Sequence, residues 1–323
     1  MSAVTPALRV RVARRQELAR DIICFELVAI DPGGLPPFSA GAHIDVLLPG
    51  GVVRQYSLCN NPCESHRYLI AVLLEGAGRG GSRTLHESVH EGDELKVSAP
   101  RNLFPLAADG HASLLLAGGI GITPLLAMAH SLSAQGRLFD LHYCTRSLER
   151  TAFSSHLSAA AFARSVHFHF DDGEAAQRLD LDTVLANPQV GTHLYTCGPR
   201  GFMEAVLSRA RKHGWHECRL HFESFAAELP RQPGDSSFEV RLARTGGSVR
   251  VAPDQSVAQA LNQRGVIVPT SCEQGVCGTC LTRVLGGEPD HRDCYLSAQE
   301  QAANDQFLPC CSRSKTPWLV LDL

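Results

Sequence analysis

The residues with the most explicit chemistry lie near the carboxyl end. Cys272-Glu-Gln-Gly-Val-Cys277-Gly-Thr-Cys280 has the spacing C-x4-C-x2-C, and Cys310-Cys311 follows well downstream. Thiolates are soft ligands, and three at this spacing with a distant fourth match the plant-type [2Fe–2S] pattern. Gly275 and Gly278 suit a backbone that must wrap a cluster closely. Amide N–H groups of such a loop stabilise the reduced, more negative state. Zinc sites ordinarily pair two short cysteine hooks, whereas here the fourth ligand stands alone. Spacing favours Cys310 for that role over its neighbour Cys311 and the nearby Cys294. Cys24, Cys59, Cys63, Cys144, Cys218 and Cys294 read as small packing residues.

Two glycine-rich segments have the chemistry of anion sites. In Leu114-Leu-Leu-Ala-Gly118-Gly119-Ile-Gly121-Ile-Thr123-Pro124 an apolar run passes through a glycine turn into a helix, with Thr123 as its cap and Pro124 in its first turn. That geometry aims helix N-terminal amides at a pyrophosphate, although the spacing is not G-x-G-x-x-G. Thr196-Cys197-Gly198-Pro199 ends a second apolar strand before a helix over 201–213, so Cys197 is either beside a nicotinamide or a buried packing residue. In the amino-terminal third, Arg54-Gln-Tyr56-Ser57-Leu58 ends a strand, and Gly78-Arg79-Gly80-Gly81-Ser82 leads into a helix carrying Leu85 and Val89 on one face. A guanidinium, glycine amides and a helix N-terminus together suit a phosphate, and Tyr56 suits an aromatic ring.

The elements that must position these residues fall into three blocks. Residues 8–104 read as short alternating strands (Leu8, Val10, Val12; Ile44, Val46, Leu48) separated by glycine and proline turns, the pattern of a small antiparallel barrel. Residues 112–225 alternate apolar strands (113–117, 140–144, 166–170, 192–197) with helices, which implies a parallel sheet. Breaks fall near 105–111 and in the polar, proline-containing segment 226–237. The last block opens with a hairpin around Phe238–Leu242 and Val249–Val251, continues into a helix over 256–263 and ends in an apolar strand, Trp318–Leu321.

Composition limits the alternatives. The 323 residues are long enough for two or three domains. A net charge of -3 supplies no basic field for nucleic acid. No apolar run reaches the roughly 18–20 residues of a membrane span, and the amino terminus has no signal-peptide core. A cytoplasmic protein is expected, its 12 cysteines serving as metal ligands or buried thiols, not as disulfides. The 15 histidines, His43 included, have no ligand spacing and read as surface or core residues.

These motifs in this order resemble the phthalate dioxygenase reductase family, the flavin–iron–sulfur reductases that feed Rieske oxygenases. The resemblance spans the chain: RQYSL (54–58), GRGGS (78–82), LAGGIGITP (116–124), YTCGP (195–199), HFESF (221–225), and CEQGVCGTC with CCSR (272–280, 310–313). It implies a multidomain fold: an antiparallel β-barrel flavin domain (1–106), an α/β parallel-sheet nicotinamide domain (107–226), a linker (227–236) and an α+β β-grasp ferredoxin domain (237–323). It implies FMN, held at its phosphate by Arg54, Ser57, Arg79, Gly80, Gly81 and Ser82, with Tyr56 along the ring and Ala71-Val72 lining it. It implies Phe225 as the aromatic that shields the flavin and moves aside for the nicotinamide. Gly118, Gly119, Gly121, Thr123, Cys197, Gly198 and Pro199 place the nucleotide, and Ser57, Cys197 and Phe225 stand nearest the hydride step. Arg146 lies where the adenosine ribose falls, and a lone Arg146 beside Asp171 and Asp172 favours NADH over NADPH. In the C-x-S-R pattern the first cysteine is the ligand, so Cys272, Cys277, Cys280 and Cys310 hold the cluster.

The implied chain runs from NADH through FMN to the cluster, because a hydride carries two electrons and a [2Fe–2S] cluster accepts one. No protein acid or base is expected in the hydride step. Electrons leave at the partly exposed loop 272–280 for a terminal Rieske-type oxygenase, in a transient complex formed by a monomer. Other readings give the same chain a cytochrome P450, a diiron oxygenase or a separate ferredoxin as acceptor, reduce it to a non-catalytic carrier, or make the cysteines a zinc-binding interaction module.

Overall fold

The computed structural model describes residues 8–48, 52–76, 80–225, 234–270, 275, 278–293 and 295–323. Residue contacts divide the chain into two compact units, Met1–Phe225 and Ala226–Leu323.

The first unit begins with an antiparallel sheet of β1 (Leu8–Ala19), β2 (Ile22–Ala29), β3 (Ala42–Leu47), β4 (Val53–Ser57), β5 (Tyr68–Leu73), β6 (Glu94–Val97) and β7 (Arg101–Asn102), with α1 (Gly81–Ser88) between β5 and β6. The strand order is β4-β3-β6-β1-β2-β5, with β7 beside β3. A bridge from Leu58 to Ile70 joins the two ends of that path and closes the barrel. Period-2 alternation fills it: Val10, Val12, Ile44 and Val46 are fully buried, while Arg9 and Arg11 point outward. At 12 residues β1 exceeds the short strands expected, and register shifts at Val12/Arg14 and Glu17/Ala19 interrupt its alternation. Leu85 and Val89 both plug the barrel core, but not from one helix face. The helix stops at Ser88, and Val89 is already extended.

A parallel sheet follows: β8 (Ala112–Gly118), β9 (Leu138–Thr145), β10 (Val166–Phe170), β11 (Thr192–Cys197) and β12 (Leu220–Glu223), in the order β10-β9-β8-β11-β12. Helices α2 (Ile122–Ala134), α3 (Ser154–Ala159), α4 (Leu181–Leu185) and α5 (Arg200–Lys212) connect the strands. The α2 helix is apolar nearly all round because it is buried all round. Its Leu125, Ala127, Met128 and Leu132 share one core with Ala40, Cys59 and Phe104 of the barrel block and with Leu115, Leu141 and Tyr143 of the sheet. The connection at 105–111, expected as a break, is tied down. Tyr195 Oη accepts from the Ala107 amide (2.7 Å), and Arg137 donates to the Gly110 carbonyl (2.6 Å). Barrel and parallel sheet therefore form one unit. Thr123 is not the cap of α2: Gly121 holds that position, and the Thr123 hydroxyl donates to the Ile120 carbonyl from inside the first turn.

The second unit contains β13 (Phe238–Leu242), β14 (Ser248–Val251), α6 (Val257–Gln263), β15 (Thr282–Gly286), β16 (Pro289–Asp290), α7 (Ala298–Ala303), β17 (Gln306–Phe307), β18 (Arg313–Ser314) and β19 (Trp318–Leu321). Its main sheet runs β14-β13-β19-β15-β17, with β13 and β19 parallel at the centre and α6 against it, a β-grasp arrangement; β16 and β18 pair separately. Ser256 opens α6 through a capping box with Gln259. Among the described residues, no helix is long and apolar enough to cross a membrane.

Close approach makes one glycine indispensable. A Cβ on Gly121 would lie 2.2 Å from the carbonyl oxygen of Cys197. Gly121→Ala should destabilise the first unit by about 1–3 kcal/mol, the range for overpacking, read as a lower denaturation midpoint.

Candidate active site and cluster site

The barrel and the parallel sheet converge on three side chains. Ser57 ends β4, and its hydroxyl donates to Glu223 Oε2 at 3.2 Å. The parallel register sets Glu223 of β12 opposite Cys197 of β11, and Cys197 opposite Ala117 of β8. All three lie at strand carboxyl ends, beside the point between β8 and β11 where strand order reverses. Open parallel sheets bind ligands there. Sequence reasoning named Ser57 and Cys197 and missed Glu223, although it stands inside HFESF. The available signal was a single acid at the end of the strand Leu220–Glu223.

Burial weakens ionisation throughout the site. Burial raises the Glu223 carboxyl to about 7, against the downward pull of the Ser57 hydrogen bond. Burial pushes the Cys197 thiol well above its ordinary value, and the Glu223 charge adds to the effect. Cys197 is thus a thiol at neutral pH, suited to contact and not to nucleophilic attack. The half-buried Tyr56 phenol is raised by burial as well, with the Arg54 charge opposing.

Charge is gathered at the far end of β4. A Cβ on Gly81 would lie 2.6 Å from Arg54 Cγ and 2.7 Å from Nε, so the missing side chain is what lets Arg54 run along the start of α1. Gly80 adopts a left-handed φ of 82° at the cap. Ser82 Oγ accepts from the Glu75 amide (3.0 Å), which leaves its O–H as a donor. With the first amides of α1, which have no acceptor within the helix, this donor set fits a phosphate. Arg79 lies outside the described residues. Strand alternation separates the two lining residues: Val72 packs into the barrel core, while Ala71 packs with Ile22 and Ala152.

The glycines of the nucleotide segment have different tasks. Gly118 and Gly198 pack backbone to backbone; a Cβ on Gly198 would lie 2.9 Å from Gly118 Cα. Gly119 has a φ of 54° and faces open space, as a ligand-facing turn requires. Pro199 caps α5, which starts at Arg200, one residue earlier than the sequence pattern placed it. Arg146 is exposed just past β9, and its carbonyl accepts from the Asp172 amide (3.1 Å). Phe225 is 42% exposed, leaving a ring face accessible. Cys63 and Cys218, expected in the core, are exposed. Several histidines meet in pairs, His193 Nδ1 with His221 Nε2 (2.8 Å) and His142 Nδ1 with His169 Nε2 (3.0 Å). Among the described residues no His, Cys, Asp or Glu group is arranged to hold a metal.

Of the four predicted cluster ligands, Cys272 and Cys277 lie outside the described residues, while Cys280 and Cys310 are buried in one core. The loop between them fits a cluster. Gly275 and Gly278 have φ of 77° and 70°, and a Cβ would strike Cys311 Sγ (2.4 Å) in the first case and the Tyr295 ring (2.3 Å) in the second. No side chain fits at either glycine, the tight wrapping a cluster demands.

Residues 240–315 match the model of the 2Fe-2S iron-sulfur cluster binding domain. The chain is 58% identical to a vanillate O-demethylase oxidoreductase of Pseudomonas putida, over 97% of this chain and 98% of that one. A solved structure of phthalate dioxygenase reductase, described as modular for electron transfer from pyridine nucleotides to [2Fe-2S], covers 98% of both chains at 41% identity and a TM-score of 0.76. The chain belongs to the phthalate dioxygenase reductase family. It is an oxygenase reductase, carrying electrons from a pyridine nucleotide through a flavin to a [2Fe–2S] cluster. Membership carries the cofactor set read from the motifs: FMN, NADH and the cluster. An intact type IV self-sufficient cytochrome P450 monooxygenase is also similar, at 39% identity and a TM-score of 0.77, over 98% of this chain and 41% of that one.

Two outcomes follow from this geometry. Arg54→Ala should lower flavin retention on gel filtration while leaving the iron content unchanged. The raised Glu223 carboxyl binds its proton more tightly folded than unfolded, so its stabilising contribution is present below the ordinary 4.5 and lost as pH rises to about 7. Glu223→Gln should flatten the stability–pH curve across that window in chemical denaturation, and Ser57→Ala, which removes the lowering hydrogen bond, should move the loss to higher pH.

Proposed function

We propose that this reductase serves a Rieske-type terminal oxygenase acting on aromatic acids, with methoxylated benzoates of the vanillate type as the oxygenase's substrates. The observation that carries this reading is 58% identity to a vanillate O-demethylase oxidoreductase over almost the full length of both chains. When bound, FMN accepts a hydride and releases single electrons, which matches a two-electron donor to a one-electron cluster.

The chain's own residues bind and orient. Arg54 and the segment 79–82 hold the FMN phosphate by charge-assisted hydrogen bonds, each worth roughly 1.5–3 kcal/mol; Ser57, whose hydroxyl is given to Glu223 at the opposite end of β4, faces the ring instead. Tyr56 lies along the ring, and Phe225 covers it until nicotinamide arrives. The turn 118–121 and Cys197-Gly198-Pro199 seat the nucleotide, with Arg146 beside the adenosine ribose. Ser57, the protonated Cys197 thiol and the Glu223 carboxyl, poised near neutral pH, surround the reacting face. Glu223 can hold one proton at its carboxyl near neutral pH. The domains divide as 1–106, 107–226 and 237–323, and the protein works as a monomer in a transient complex.

A cytochrome P450 acceptor is the second reading, supported by the self-sufficient P450 that contains a similar reductase. An anaerobic NADH titration followed by mixing separates the two. Flavin and cluster absorbance should both bleach, and a vanillate-type Rieske oxygenase should reoxidise them in the presence of its substrate, whereas reoxidation by a P450 alone would overturn the first reading. Cys310→Ser should remove the cluster and oxygenase reduction while NADH-driven ferricyanide reduction continues, read by iron analysis and stopped-flow absorbance.

A further inference from the structure

Behind the cluster loop lies a carboxylate that none of the motifs includes. The side chain of Asp293 has no solvent exposure. Its Cα and Cβ would each lie 2.9 Å from a Cβ on Gly275, so Asp293 is packed directly against that glycine. Its oxygens are shared between two other segments. Asp293 Oδ2 accepts from the Leu296 amide (2.9 Å), which fixes the turn before α7, and Oδ1 accepts from the Ser312 hydroxyl (3.3 Å). Ser312 is fully buried and stands two residues past Cys310; its oxygen also accepts from the Arg292 amide (3.1 Å). Asp293 therefore packs against Gly275 of the cysteine loop, while its carboxylate ties the turn before α7 to the segment just after Cys310.

The neighbouring charges do not neutralise it through a hydrogen bond. His291 Nδ1 approaches Asp293 Oδ1 only to 3.5 Å and has no hydrogen-bond partner, while Nε2 meets Asn304 Oδ1 at 3.3 Å. The Arg292 guanidinium turns the other way, to Asp235 and Asp290. A buried negative charge beside a centre that gains an electron disfavours the reduced state, and low local dielectric strengthens the effect.

We propose that Asp293 is a positioning residue of the iron–sulfur site, whose carboxylate holds the turn before α7 to the segment after Cys310 and lowers the reduction potential of the cluster. This rests on the [2Fe–2S] reading of the four cysteines, which iron and sulfide analysis of the purified full chain checks separately. The outer contacts of a metal site tune it in this way, and their loss commonly costs 10–100-fold in metal affinity or activity.

The test is an anaerobic redox titration of the full-length protein, following the EPR signal of the reduced cluster. Asp293→Asn keeps the shape and one acceptor oxygen but removes the charge. It should retain iron and shift the cluster's one-electron equilibrium toward reduction by about tenfold, which is about 59 mV for a single electron. Ser312→Ala removes a donor from the carboxylate, leaves its charge less compensated, and should move the potential in the opposite direction. Opposite signs identify an electrostatic role, since general loosening of the site would not reverse between the two variants. An iron-replete Asp293→Asn with wild-type potential overturns the proposal. If Asp293→Asn loses its iron, Ser312→Ala decides: a lower potential supports the proposal, and an unchanged or higher one overturns it. A wild-type chain without iron and sulfide overturns the cluster reading itself.

Discussion

The site depends on one close approach of backbone, between the end of β8 and the end of β11. Gly121 sits where a single extra carbon would meet the Cys197 carbonyl, and Gly118 and Gly198 touch without side chains between them. That contact brings the turn entering α2 alongside the turn entering α5. Both helix N-termini then face one crevice, at the position where strand order reverses. It also fixes how far Cys197 reaches, and through the β11–β12 ladder the height of Glu223. Ser57 meets Glu223 only because α2 is packed against barrel and sheet together. A side chain at Gly121 would disturb all of these at once.

Electrostatic labour is divided along the crevice. The phosphate end is cationic, with Arg54 laid along α1, the helix amides and the Ser82 donor. The redox end is kept nearly neutral, its thiol and phenol held protonated and its carboxyl poised near neutrality by burial. Charge is thus kept apart from the buried groups, where low dielectric leaves tuning to a few dipoles. The ferredoxin domain solves the related problem differently. There a buried carboxylate, Asp293, packs against Gly275 and accepts from the Ser312 hydroxyl.

Local sequence chemistry was informative wherever backbone geometry or ligand softness leaves a signature in neighbouring residues. The C-x4-C-x2-C spacing, the glycine turn 118–121, the barrel-to-sheet switch in periodicity, and the strands 166–170 and 192–197 were all legible, because each depends on residues within a few positions. Errors clustered where a boundary turned on one backbone angle. Thr123 looks like a cap, yet Gly121 takes that place; Val89 looks helical, yet the chain has already extended.

The sequence by itself determined the family, the three-part fold class and the cofactors. Only the tertiary structure decided which acids matter. Glu223 gains its role from a parallel register that sets it beside Cys197 and from a barrel residue far away in sequence. Asp293 gains its place from contacts with Gly275 and Ser312, on either side of it in the chain. Burial and register are properties of packed elements, and a carboxylate in a sequence carries no mark of the dielectric that will surround it. The same reason explains Cys63 and Cys218, whose exposure no local pattern announced.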